Sequence, residues 1–294
     1  MFRIAYVNGR YLRHDHALVH VEDRGFQFAD GVYEVCAVVG GALVDAGPHL
    51  DRLDRSLREV RMPWPMSRSA MLSVMREVVR RNRVRDGSIY LQITRGAARR
   101  EFAFPQDAVQ SVVMTARQTS HNKSLALAEV GVKVISLPDI RWARRDIKSV
   151  ALLPNVLSKQ QAKQAGAYEA WLVDPEGYVT EGSSSNAWIV DRDGNIVTRS
   201  VSNAILSGIT RWAVLEVARR AGVAVVERKF SVPEAQAARE AFLTSSTSFV
   251  LPIVQIDEEM VGNGHPGPMA GQLRQLFAQH VAKETGAKLA RTGL

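Results

Sequence analysis

The sequence predicts an α+β chain of two domains, and three observations carry that expectation. At 294 residues the chain fits one large domain or two of ordinary size, at roughly 100–200 residues each. Its first portion mixes short β-rich runs with amphipathic helical stripes. A polar stretch, Gln118 to Lys123, then separates that portion from a second one with its own strands and helices. The division places a small α+β domain over 1–118 and a larger domain over 124–294.

Taken in order, Ala5-Tyr6-Val7 reads as a strand ending at the turn Asn8-Gly9-Arg10. Gly31 to Val39 and Ala42 to Val44 flank Gly40-Gly41 and read as a hairpin. From His49 to Val60 the apolar residues Leu50, Leu53, Leu57 and Val60 fall on one helical stripe, closed by Met62-Pro63-Trp64-Pro65. Ser67 to Arg81 is a second helix, with Met71, Val74, Val78 and Val79 inward. Ser88 to Thr94 and Val112 to Thr115 are strands. The second portion opens on the strand Val132 to Ser136 and a helix from Val156 to Ala165. A β-meander follows, from Glu169 through Tyr178-Val179-Thr180 and Ala187 to Val190, ending at Val197. A helix over Thr210 to Ala221, the strand Ala241 to Thr244 and a last helix over Met269 to Thr285 complete the chain.

Composition bounds the function. Hydrophobic residues make 46% and charged residues 23%, which is enough apolar material for a sizeable core. The net charge of +8 could signal a polyanion partner, but the basic residues are dispersed, with no block of five or six like charges. A solvated basic surface is therefore expected, with no nucleic-acid partner. The one cysteine, Cys36, allows no disulfide within the chain, which suits a reducing cytoplasm. Neither a signal-peptide pattern nor an apolar run near the ~18 residues of a membrane span occurs. The sequence contains no P-loop, Cys-x-x-Cys, His-Glu-x-x-His or Gly-x-Ser-x-Gly signature, against several nucleotide, zinc and hydrolase classes.

Four segments could carry chemistry. Lys148, in Asp146-Ile147-Lys148-Ser149 ahead of an apolar run, reads either as a buried amine able to form a Schiff base or as a snorkelling lysine paired to Asp146. Thr180-Glu181-Gly182-Ser183-Ser184-Ser185-Asn186 sets one acid beside small hydroxyl residues that can donate to an anion, or simply turn the chain. Leu206-Ser207-Gly208-Ile209-Thr210-Arg211 leads into a helix, where free amides and the dipole favour an anion or the residues merely cap. Thr244-Ser245-Ser246-Thr247-Ser248 is a hydroxyl run at a strand end, open to the same two readings. Together they supply an amine, an acid and anion donors, which is what pyridoxal phosphate requires.

Six ordered segments resemble the fold-type IV pyridoxal-phosphate enzymes, and among them the D-amino-acid aminotransferases. They are Glu22 to Glu34, His49 to Leu53, Asp146 to Ser149, Thr180 to Asn186, Ser207 to Arg211 and Thr244 to Ser248. The resemblance implies a smaller α/β sandwich domain and a larger pseudo-barrel domain. The smaller would carry Tyr33, Arg52 and the substrate-carboxylate loop. The larger would carry the Schiff-base lysine and the phosphate site. It implies pyridoxal 5'-phosphate as cofactor, amino-acid and 2-oxo-acid substrates and a homodimer. It further implies Lys148, Glu181 and Tyr33 as catalytic residues, with Lys148 as Schiff base and acid/base and Glu181 at the pyridine nitrogen. Arg52, Ile209, Thr210 and Ser246 are the implied phosphate ligands, Leu206 the wall against the ring, and Tyr33, Arg100 and Thr247 the implied substrate contacts. In the carboxylate loop, Arg100-Glu101-Phe102-Ala103-Phe104-Pro105 keeps the arginine of the Arg-x-His-x-Phe-Pro pattern and sets phenylalanine at the histidine position. Branched-chain and R-selective amine aminotransferases and aminodeoxychorismate lyase share these segments. Arg100 and Tyr33-Glu34-Val35 favour transamination of D-amino acids.

Overall fold

The computed structural model describes residues 3–119 and 122–287, so part of the polar stretch around residue 120 lies outside the described residues. The chain forms two compact units, Met1–Ser120 with Ile147–Leu152, and His121–Asp146 with Leu153–Leu294.

The first unit contains β1 (Ile4–Val7), β2 (Arg10–Arg13), α1 (Arg24–Phe28), β3 (Gly31–Val39), β4 (Ala42–Leu43), α2 (Ala46–Glu59), α3 (Arg68–Arg81), β5 (Gly87–Thr94) and β6 (Ser111–Gln118). Its strands make one sheet in the order β2-β1-β6-β5-β3-β4, antiparallel throughout. Alternation along β5 decides which face is covered: Ile89, Leu91 and Ile93 are buried, while Ser88, Tyr90 and Gln92 are half-buried. The predicted stripes on α2 (Leu50, Leu53, Leu57) and α3 (Met71, Val78, Val79) close over this face. Each fully buried side chain of that kind contributes about 1.5–3 kcal/mol. Cys36 lies inside β3, fully buried, and its thiol donates to the Val44 carbonyl at 2.9 Å.

The sequence division leaves residues 124–294 in one domain, yet Ile147–Leu152 groups with the first unit. The cause is a set of backbone bonds to β3. The Tyr33 amide donates to the Lys148 carbonyl at 3.0 Å, the Val150 amide donates to Gly31 at 3.0 Å, and Val32 bridges Ser149.

The second unit contains α4 (Asn122–Val130), β7 (Val132–Pro138), α5 (Leu153–Gln164), β8 (Glu169–Val173), β9 (Val179–Gly182), β10 (Asn186–Val190) and β11 (Ile196–Thr198). It continues with α6 (Ile209–Arg220), β12 (Val225–Glu227), α7 (Val232–Gln236), β13 (Glu240–Ser245), β14 (Phe249–Ile256), β15 (Glu259–Met260) and α8 (Pro268–Thr285). Among the described residues nine strands form one mixed sheet, in the order β12-β11-β10-β13-β14-β7-β8-β9, with β15 on β14. Trp188 stacks on Phe242 across β10 and β13, ring centroids 5.4 Å apart, and Trp171 meets Phe230 edge-on at 5.9 Å.

The second unit departs from the sequence reading at several places, the short elements β12, α7 and β15 among them. The polar stretch expected to be a linker up to Lys123 gives way to α4 from Asn122. The expected meander splits into two hairpins, β8–β9 and β10–β11, because β10 takes β13 as its other neighbour. Strand β14 escapes the sequence reading, since Pro252 lies inside it and a proline cannot donate to a ladder. Pro252 is tolerated because pairing with β7 begins only at Ile253, leaving it one neighbour, Phe242 of β13.

Candidate active site

Each unit holds part of the predicted constellation. In the first, Lys148 is half-buried rather than buried, and its Nζ lies 4.3 Å from the centre of the Tyr33 ring. Among the described residues its amine has no carboxylate partner. Asp146, the alternative partner, receives Arg144 at 3.0 Å instead. The Lys148 main chain is fixed through Tyr33 and through its amide, which donates to Ser56 Oγ at 3.3 Å.

Arg52 projects from α2 and grips Glu34 of β3 with two donors, Nε at 2.8 Å and Nη2 at 2.7 Å. His49 Nδ1 sits 2.7 Å from the same carboxylate. Burial pushes the Glu34 carboxyl up, but Arg52 and His49 outweigh it and hold it down at about 2. Burial dominates at His49, whose ring is pushed below its ordinary value. Arg52 is thereby fixed in direction by its neighbours.

Arg100 is exposed, its guanidinium 5.2 Å from the Phe28 ring, and Phe102 packs on the same ring at 5.5 Å. Arg24, buried and paired to Asp30 at 2.8 Å, reaches the carbonyls of Glu101 and Phe102 and holds this loop from below. Sequence reasoning singles out none of Arg24, Asp30 or Phe28 as a site residue; only the shared Glu22 to Glu34 segment hints at them.

In the second unit Glu181 is buried on β9. Its Oε1 accepts Arg141 Nη1 at 2.5 Å, and its Oε2 accepts Asn186 Nδ2 and the Leu206 amide, both at 3.0 Å. Burial raises the Glu181 carboxyl, opposed chiefly by Arg141. Arg141 also grips Asp139 with Nε and Nη2 at 3.0 and 2.8 Å. Arg141 and Asp139 carry no motif signal, and sequence reasoning misses them.

The hydroxyl run after Glu181, read either as donors to an anion or as a turn of the chain, finds an anion inside the protein. Ser183, Ser184 and Ser185 all donate to the buried Glu169 carboxylate, Ser184 at 2.7 Å. Those serines are therefore structural. In the second hydroxyl run Thr244 accepts the Trp188 indole at 2.9 Å, Ser245 accepts the Ser248 amide at 3.0 Å, and Ser248 meets Tyr168 at 2.6 Å. Ser246 makes no hydrogen bond to a described residue, and Thr247 is exposed.

Ile209 and Thr210 open α6, whose N-cap, Gly208, supplies no side-chain bond to the first-turn amides. Leu206 precedes them, half-buried. Gly208 is required by close approach rather than by backbone angle. A Cβ there would sit 2.0 Å from Asn186 Oδ1, the residue that bridges Glu181 and the Leu206 carbonyl.

A family model for amino-transferase class IV matches residues 31–256. The chain belongs to that family. It is 38% identical over 278 residues to a D-alanine aminotransferase of Bacillus licheniformis, covering 95% of this chain and 97% of that one. It is 36% identical over 281 residues to a D-alanine aminotransferase of Listeria monocytogenes, at 95% and 96% coverage. Among solved structures it is similar to a T.th. branched-chain amino acid aminotransferase with pyridoxamine 5'-phosphate, at a TM-score of 0.88 and 26% identity, covering 100% and 97% of the two chains. The Escherichia coli branched-chain enzyme shares the fold, with a TM-score of 0.89, 24% identity and coverage of 99% and 98%. The α+β, fold-type IV expectation therefore holds, and the chain is a pyridoxal-phosphate-dependent aminotransferase acting on amino and 2-oxo acids. The residues present fit that cofactor: an amine without an acid partner, an uncapped helix start, an unpartnered serine hydroxyl and a buried acid. No helix among the described residues is long and apolar enough to cross a membrane.

Proposed function

We propose that the chain exchanges amino groups between D-amino acids and 2-oxo acids, with Lys148 as the amine that binds the cofactor and carries the proton at the substrate Cα. The observation that carries this reading is the Lys148 amine, held against Tyr33 without a carboxylate to neutralise its role. Bound pyridoxal phosphate supplies an electron sink for the pair left behind when that proton departs. Glu181, kept in place by Arg141, Asn186 and the Leu206 amide, serves as the acceptor for the pyridine N–H. Amides of Ile209 and Thr210, the Ser246 hydroxyl and Arg52 serve the phosphate, while Leu206 forms an apolar wall. Tyr33, whose ring lies against the Lys148 amine, serves beside it, and Arg100 binds the substrate carboxylate with Thr247 as a further contact. The working form is a homodimer in the cytoplasm.

The D-specific reading is supported by the relatives' names and by Arg100. The purified protein should be yellow, and D-alanine with 2-oxoglutarate should bleach and regenerate the colour while L-alanine does not. Bleaching by L-leucine or L-valine in place of D-alanine would move the assignment to branched-chain substrates. Pyruvate release from aminodeoxychorismate well beyond one equivalent per active site, with no 2-oxo-acid acceptor present, would move it to a lyase. A folded Lys148→Ala variant that keeps the visible band of the bound cofactor would remove Lys148 from its role.

A further inference from the structure

Arg274 lies on α8, in the second unit, with only 7% of its surface exposed. A buried guanidinium is ordinarily matched by a carboxylate. Here no described carboxylate lies within ion-pair distance, and its Nε finds no acceptor. Its remaining donors go to neutral groups. Nη1 reaches the carbonyls of Val250 at 2.6 Å and Ser248 at 3.4 Å, and Nη2 reaches Ser124 Oγ at 3.4 Å. Ser124 in turn donates to the Ser248 carbonyl at 3.2 Å.

Those two carbonyls flank Phe249, which is held in the left-handed region at φ +59, a conformation a bulky side chain avoids. The Phe249 ring packs on Phe277 of the same helix at 5.6 Å. One arginine thus spans the strained residue that ends the turn of Ser245 to Ser248. Within that turn the Ser245 and Ser248 hydroxyls are committed to protein partners, and Ser246 is not. Burial pulls the guanidinium down to about 10, so it stays charged at neutral pH, and that charge is offset by no described acid.

We infer that Arg274 is a positioning residue for the cofactor's phosphate. It staples the main chain just past Ser246, so that the turn meets an anion already formed, and it adds an uncompensated positive charge behind that turn. The inference rests on the reading of Ser246 as a phosphate ligand and goes beyond it, since none of the six motif segments includes Arg274.

The test titrates the cofactor-free protein with pyridoxal phosphate and, separately, with pyridoxal, which lacks the phosphate, following the absorbance of each. For Arg274→Met the affinity for pyridoxal phosphate should fall about tenfold, the scale of one charge-assisted hydrogen bond, with pyridoxal unchanged. Arg274→Lys, which keeps the charge, should recover part of the loss, and inorganic phosphate should compete less well against pyridoxal phosphate in Arg274→Met than in the wild type. Equal losses for both ligands, or no loss for either, would overturn the inference. If Arg274→Met does not fold, Ser124→Ala decides: a smaller loss confined to the phosphorylated ligand supports it, and an unchanged ratio refutes it. Ser246→Ala separates the two ideas, because an unchanged ratio there sinks the Ser246 reading whatever Arg274 does.

Discussion

Arg141 donates from Nη1 to Glu181 Oε1 at 2.5 Å, and this pair sets the protonation of the acid assigned to the pyridine nitrogen. Burial pushes the Glu181 carboxyl up, and Arg141 is the main force opposing it. Removing the cation in Arg141→Met therefore lifts the Glu181 carboxyl further. The acid limb of the kcat/KM profile should move to higher pH, with activity at pH 7 reduced. A profile superimposable on the wild type would show that Arg141 does not tune Glu181.

Glu34 gives a stability prediction with a definite sign. Its carboxyl is held at about 2 in the folded chain, below its ordinary value of 4.5. A lowered acid contributes stability that is present above the unfolded value and lost as pH falls through the folded one. Wild-type stability should thus decline between about pH 4.5 and 2, and Glu34→Gln should flatten that decline while lowering stability at neutral pH, where Arg52 loses its partner. Denaturant melts across that window read the difference.

Gly208→Ala tests close approach. The added Cβ would fall 2.0 Å from Asn186 Oδ1, so either Asn186 or the start of α6 must move. Overpacking of this kind costs about 1–3 kcal/mol. A lower Tm and weaker cofactor binding should appear together, since Asn186 also holds Glu181 at 3.0 Å. Loss of Tm with undiminished cofactor affinity would separate Gly208 from the site.

The carboxylate loop gives a substrate prediction. Arg100→Leu should raise KM for D-alanine roughly 10- to 100-fold with a smaller change in kcat, as removal of a charged two-point contact does. Phe102→His, which puts a donor where Phe102 now packs on Phe28, should lower that KM. A KM insensitive to both would place the substrate carboxylate elsewhere.

What the sequence makes legible, and what it hides, divides along physical lines. Periodicity identifies α2 and α3 and the strands of the first sheet, because each buries one face and alternates accordingly. Pattern fails at β14, where Pro252 breaks the strand signal, and at α4, which begins among polar residues. Lys148 and Glu181 stand out in the sequence because the chemistry proposed for them demands those residue types in recognisable company. Arg141, Asp139, Arg24 and Glu169 cannot, since each acts by ion pairing or hydrogen bonding across the chain, as between Arg141 and Glu181 or Arg24 and Glu101. Glu169 decides between the two readings of the serine run, for its carboxylate already takes all three hydroxyls.

The lone thiol of Cys36, sealed within β3 and bonded to Val44, has a use unrelated to catalysis. A water-soluble alkylating reagent reaches it only when the first sheet opens, and no second sulfhydryl competes for the label. The rate of alkylation is therefore a one-site clock for breathing of the β3 neighbourhood, readable by mass spectrometry without altering a single residue.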